Sequence, residues 1–158
     1  MRLWGVWLFL HFIGVALWLG GTFTLSLWTS RARRSGQPET IAFAYATARR
    51  LYRGLVAVAA TVTIVAGAIL MIVTGRPFFR PFPEHWLFQM QVFGLLAFLA
   101  TLFVVLPTAG RLAKLAERGG ELEEDKAMFA AKVRQQAIVG SLVGALLVYV
   151  VLVSALQI

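Results

Sequence analysis

Charged positions divide this chain into four long apolar runs. No Asp, Glu, Lys or Arg occurs in residues 3–30, 54–75, 85–110 or 135–158. Each run exceeds the roughly 18 residues that mark a transmembrane helix, enough to cross a hydrocarbon core of about 30 Å. The pattern predicts an all-α protein: an integral membrane four-helix bundle of up-down topology, forming a single domain. Its helices are expected at about 4–29, 50–74, 85–109 and 134–157. The first run is far longer than the apolar core of a signal peptide, and no small-x-small site ends it. It is therefore expected to remain as a helix.

Within the first run, Trp4, Trp7, His11, Gly14, Trp18 and Gly21 share one stripe at 3.6 residues per turn. An ionisable residue inside a membrane helix is costly and normally faces the bundle interior with a role to perform. Gly14 and Gly21 beside it leave room for a flat ligand or a close helix neighbour.

The composition agrees with a membrane protein, with 59% hydrophobic residues. The formal net charge of +8 could suggest nucleic acid, but the distribution of charge explains it. Arg31, Arg33, Arg34, Arg49, Arg50 and Arg53 lie between the first and second runs. Arg111, Lys114, Arg118, Lys126, Lys132 and Arg134 lie between the third and fourth, against only Arg2, Arg76 and Arg80 on the other side. By the positive-inside rule both longer connections are cytoplasmic and both termini are outside, as in a multi-pass protein of a bacterial inner membrane. Membrane lipid is an expected partner, through anionic headgroups, and nucleic acid is not.

The connections carry their own signals. Pro38 can seat an amphipathic helix starting near Glu39. Residues 76–84 hold three prolines and three phenylalanines and read first as a short interfacial connection, with a cap over the bundle mouth as the alternative. Glu121, Glu123, Glu124 and Asp125 ahead of Lys126 read as helix charge patterning rather than a metal site. Gly140 and Gly144 form a G-x-x-x-G pair that permits close packing, within the chain or in a homodimer.

With no cysteine, disulfides, thiolate metal sites, iron–sulfur clusters and covalent haem attachment are excluded. No constellation for nucleophilic or carboxylate catalysis is present, so the catalytic residues are unknown. His11 can bind haem iron or another metal, relay a proton or bond a neighbouring helix. A stripe of aromatics and glycines suits a flat macrocycle, and Arg76 and Arg80 lie on the side where propionates need cations. His85 begins the third run on the same side, with Gln89 four residues on. If helix one enters the membrane at Leu3, His11 is about 12 Å deep and His85 is too high to share an iron. If it enters near Leu8, His11 is about 5 Å deep and the pair can meet. Met71 and Met90 read as single methionines, which makes a copper site the weaker reading.

His11-x-x-Gly14-x-x-x-Trp18-x-Gly20-Gly21, followed by Arg49-Arg50-Leu51-Tyr52-Arg53 and a small-residue helix with Gly67, resembles the HemJ-type protoporphyrinogen oxidases. It also resembles the related CopD-like small four-helix membrane proteins. The resemblance spans most of the chain and is specific in its first half. It implies that His11 binds haem b (protohaem IX). That family's lysine after the helix-three tryptophan is not matched: Trp86 is followed by Leu87, Phe88, Gln89, Met90 and Gln91. Its Asn-Glu-Val-Pro stretch is also absent, so the residues linked to oxidase activity do not carry over.

The resulting expectation is a haem b-binding redox protein, in electron transfer or in oxidation of a hydrophobic, porphyrin-like substrate. His11, Gly14, Trp18 and Gly21 would form the pocket, His85 or Gln89 would face the iron's far side, and Arg76 and Arg80 would meet the propionates. A membrane or periplasmic redox partner is implied. The alternative is a haem-free structural, assembly or copper-uptake protein.

Overall fold

Backbone hydrogen bonds have no partners in lipid, so each apolar run satisfies its own as a helix. The chain, seen here in a computed structural model, is described over residues 3–80, 85–119 and 123–157. Arg2, Pro81, Phe82, Pro83, Glu84, Gly120 and Glu121 of the sequence reading lie outside the described residues. Four helical rods are long and apolar enough to cross a membrane, and no strand occurs among the described residues.

The first rod is α1 (Leu3–Arg34). It stops where Ser35 Oγ donates to Ala32 O at 2.7 Å and Gly36 adopts a left-handed φ of 68°. The second rod comprises α2 (Pro38–Leu51), a π turn over Tyr52–Val56 and α3 (Ala57–Thr74). Pro38 sits in the first turn of α2, where its missing N–H costs nothing. Gly75, with φ 65°, closes α3, and Arg76 N–H bonds back to Met71 O at 3.0 Å. The third rod comprises α4 (His85–Ala100), a π turn over Thr101–Val105 and α5 (Leu106–Glu117). The fourth is α6 (Glu123–Leu156), opened by Glu123, Glu124 and Asp125, which complement its dipole.

The helices outrun the apolar segments, because arginines and lysines continue a helix as readily as they end a hydrophobic run. Rods of 31–37 residues are about 50 Å long, against a hydrocarbon core of about 30 Å. The excess lies at the basic end, where Tyr45, Leu112, Ala113 and Ala116 form a second small core with Ile41, Phe129 and Val133 packed on it. Pro107 does not end the third rod. Leu106 N–H bonds Thr101 O in the wide register, so the turn before the proline is already open where its ring would crowd an α-helix.

Small residues set the packing. α1 lies along α3, α4 along α6 and α2 along α5, with α6 also against α1, whereas α3 and α4 touch sparingly. The main core centres on Trp18, fully buried, with Val56, Ala60, Ala97, Val105 and Val143 around it. Phe9, Phe12, Leu27, Ile72 and Phe103 point outward, as a lipid-facing surface requires.

Candidate functional site

Two glycines allow α1 and α3 to approach closely around His11. A Cβ on Gly14 would stand 2.5 Å from Thr63 Oγ1 and 3.1 Å from Ala59 O. A Cβ on Gly67 would stand 3.1 Å from Cε1 and 3.2 Å from Nδ1 of His11. The contact is reciprocal: Thr63 rests on the bare backbone at Gly14, and the imidazole rests on the bare backbone at Gly67. Thr63 Oγ1 donates to Ala59 O at 2.8 Å, which turns the hydroxyl back along its own helix.

His11 Nδ1 lies 2.9 Å from the backbone carbonyl oxygen of Thr63. A carbonyl only accepts, so Nδ1 carries the hydrogen and donates it. In the neutral ring Nε2 then keeps its lone pair. A second group that fixes the tautomer and orientation in this way is the usual support of a metal-ligating histidine.

Where α3 and α4 part, all four rods and the segment 76–80 between α3 and α4 line a half-open cavity of about 280 Å³ with an almost wholly apolar wall. His11 and Trp18 of α1, Gly67 and Met71 of α3, and Met90 and Gln91 of α4 contribute to its lining. Trp18 Nε1 donates to Thr101 Oγ1 at 3.2 Å, tying the first rod to the third. Phe78 and Phe79, in the segment that follows α3, also line it. Phe79 has a left-handed φ of 51°, unusual for a bulky side chain, and its N–H donates to Gln91 Oε1 at 2.9 Å. The loop is therefore a wall of the cavity and not merely a connection across it.

The candidate residues divide accordingly. His11 and Trp18 line the cavity. Gly14 serves the α1–α3 contact. Gly21 serves the contact of α1 with the π turn before α3, where a Cβ would stand 3.1 Å from Val56 Cγ2. Gln89 does not line the cavity; it accepts a hydrogen bond from Tyr149 Oη on α6. His85 is exposed at the first position of α4, also outside the lining. Met90 and Gln91 lie about 8 Å further along that helix, and this places them, and not His85, on the cavity wall with His11. The guanidinium of Arg76 stacks over Trp86, 5.4 Å from the ring centroid, and Arg80 is exposed. Both flank Phe78 and Phe79 in sequence without lining the cavity themselves.

Met71, Met90 and Gln91 are the site residues that sequence reasoning left aside. Gln91 carried a signal, as one of only two amides in the third apolar run. The i, i+4 spacing from His85 pointed to Gln89 instead. No curated protein and no solved structure matches the chain. The sequence profile of one family, described as a predicted integral membrane protein, matches residues 6–156. With nearly its whole length matched, the chain belongs to the DUF2269 family of integral membrane proteins.

Proposed function

We propose that this protein binds haem b through His11 Nε2 and has a redox role in the membrane, a bacterial inner membrane by the charge pattern. The observation that carries this reading is the His11–Thr63 bond, which leaves Nε2 with its lone pair on a side chain that lines an apolar cavity among the four spans. The donor set would suit the group: one anchored histidine, with Met90 and Gln91 on α4 lining the same cavity as further side chains that would hold it. Arg76, stacked over Trp86, and Arg80 share the segment of Phe78 and Phe79 and would be the cations to meet propionates. Bound haem would supply one-electron chemistry. The chain's own part is to hold the ring, exclude water with Trp18, Phe78 and Phe79, and orient His11. The resemblance of the first helix to HemJ-type proteins supports the same assignment.

A second reading, Cu(I) handling of the CopD-like kind, is favoured by Met71 and Met90 lining the same cavity as His11. Two thioethers and an imidazole make a soft donor set that suits Cu(I). The deciding experiment is a visible spectrum with pyridine haemochrome on purified protein supplied with haem, beside metal analysis. A b-type spectrum lost in His11→Ala supports haem. A colourless protein that retains copper through His11 and both methionines overturns it in favour of the second reading.

A further inference from the structure

The motif Arg49-Arg50-Leu51-Tyr52-Arg53 is not used by the cavity at all; it lies on the other side of the bundle's midpoint. Two adjoining clefts open between α2, its π turn and α5, which pack together. One, of about 190 Å³, is lined by Arg49, Arg53, Pro107, Gly110, Arg111 and Lys114. The other, of about 310 Å³, is lined by Ala46, Arg49, Arg50, Arg53 and Glu117. Arg49 and Arg53 belong to both, so the clefts form one continuous basic site. The Arg53 guanidinium spans the gap between helices, with Nη2 3.8 Å from where a Cβ on Gly110 would be.

Five cations are therefore gathered from two helices. Among the described residues none of them is ion-paired to a carboxylate; the ion pairs there are Arg118–Asp125 and Lys126–Glu123. Crowded like charges repel, and an anion seated among them reverses the sign of that term. The first cleft has no acidic group in its lining.

Position selects the anion. Val58 lies just beyond Arg53 and the π turn, and Leu99 and Phe103 continue the face of Pro107 and Arg111 at four-residue steps. All three are exposed apolar residues on the membrane side of the clefts. The ligand thus needs a phosphate at the cleft and apolar chains running into the bilayer. We propose that this site binds the headgroup of an anionic glycerophospholipid. Its phosphate sits among Arg49, Arg53, Arg111 and Lys114, and its headgroup hydroxyls reach toward the Glu117 carboxylate. A general basic fringe attracts any anionic surface, whereas a cleft that gathers five cations from two rods favours one headgroup at one place.

The test is lipid-dependent thermal stability of the full chain in detergent at 0.15 M salt, where charges beyond about 8 Å are largely screened. Short-chain phosphatidylglycerol, phosphatidylcholine of the same chains and inorganic phosphate are titrated separately. Wild type is compared with Arg53→Gln/Arg111→Gln and with Arg31→Gln/Arg134→Gln, which removes equal charge outside the clefts. Phosphatidylglycerol is expected to stabilise wild type and the Arg31/Arg134 variant alike. The cleft variant is expected to need about thirtyfold more lipid, from about 1 kcal/mol for each of two lost cations. If that double variant does not fold, the exposed single change Lys114→Gln is read instead, with a severalfold loss expected. The proposal is overturned if phosphatidylcholine stabilises equally, if both double variants lose the response equally, or if phosphate alone reproduces it.

Discussion

Trp18 and Thr101 are joined by a hydrogen bond through the middle of the bundle, indole Nε1 to hydroxyl Oγ1 at 3.2 Å, with both side chains buried. Thr101 in turn donates to Ala97 O at 2.8 Å, so one hydroxyl serves a neighbouring helix and its own backbone. Trp18 thereby fixes the distance between the first and third rods and supplies a wall of the cavity. Trp18→Phe should lower stability by about 1–2 kcal/mol, combining a lost interhelical bond with a partly refilled space. Thermal unfolding in detergent measures it, and Thr101→Val should reproduce the hydrogen-bond part alone. Full stability in both variants would contradict this account of the core.

At Gly14 the spacing of α1 and α3 leaves no room for a methyl group. Gly14→Ala should cost about 1–3 kcal/mol through overpacking against Thr63 and the Ala59 carbonyl. Thr63→Ala in the same chain removes the nearest atom, so the double variant should regain part of the loss. A purely additive pair would show that the two residues are not in contact.

Gly67 permits a different test, because the atoms above it belong to the imidazole. Gly67→Leu should displace the His11 ring and abolish any haem spectrum, and Gly67→Ala should weaken it. The helices pack elsewhere, so helical content by circular dichroism should hold in both. An unchanged spectrum in Gly67→Leu would separate the chromophore from His11.

Phe79 occupies a backbone conformation that costs a bulky residue roughly 1–2 kcal/mol. Phe79→Gly should relieve that strain while removing an aromatic ring from the cavity wall. Gln91→Ala should release the loop by deleting the acceptor for Phe79 N–H. Amide hydrogen exchange at residues 76–80 should rise in Gln91→Ala relative to wild type. Equal protection would mean that the hydrogen bond does not hold the loop.

Because the chain has no native cysteine, its orientation can be read directly. Ser35→Cys should react with a membrane-impermeant maleimide only after the cytoplasmic side is opened. Gly75→Cys or Gln157→Cys should react from outside. The reverse pattern would invert the topology drawn from the basic residues.

The four spans were legible because lipid imposes one solution on an uncharged run of this length. His11 was legible for the same reason, as an ionisable side chain where such groups are rare. What surrounds it was not. Met90 and Gln91 reach the cavity through the packing of α4 on α6 and its separation from α3, relationships between distant segments that no local spacing encodes. Gly14 was recognisable as a site of close approach, yet the pattern did not distinguish a flat ligand from Thr63. The third rod runs to Glu117, past the end near residue 109 that its uncharged run suggested, and nothing in Thr101–Val105 announces the wide turn that accommodates Pro107.

The wide turns also let their rods absorb one residue each. Each residue of an α-helix advances the azimuth by about 100°, and a π turn carries one residue more than an α turn. In the third rod the part beyond Val105 bears the basic cleft, and the part before Thr101 bears Met90 and Gln91. Deleting one residue within 102–105 would let that turn close as a regular α-helix with both halves keeping their faces, whereas a deletion inside α4 or α5 would rotate one half against the other by roughly that angle. Only the deletion outside the π turn would swing the cavity or the basic cleft toward lipid. The π turn absorbs its extra residue without turning either end away from its neighbours, so a deletion there should be better tolerated than one elsewhere in the same rod.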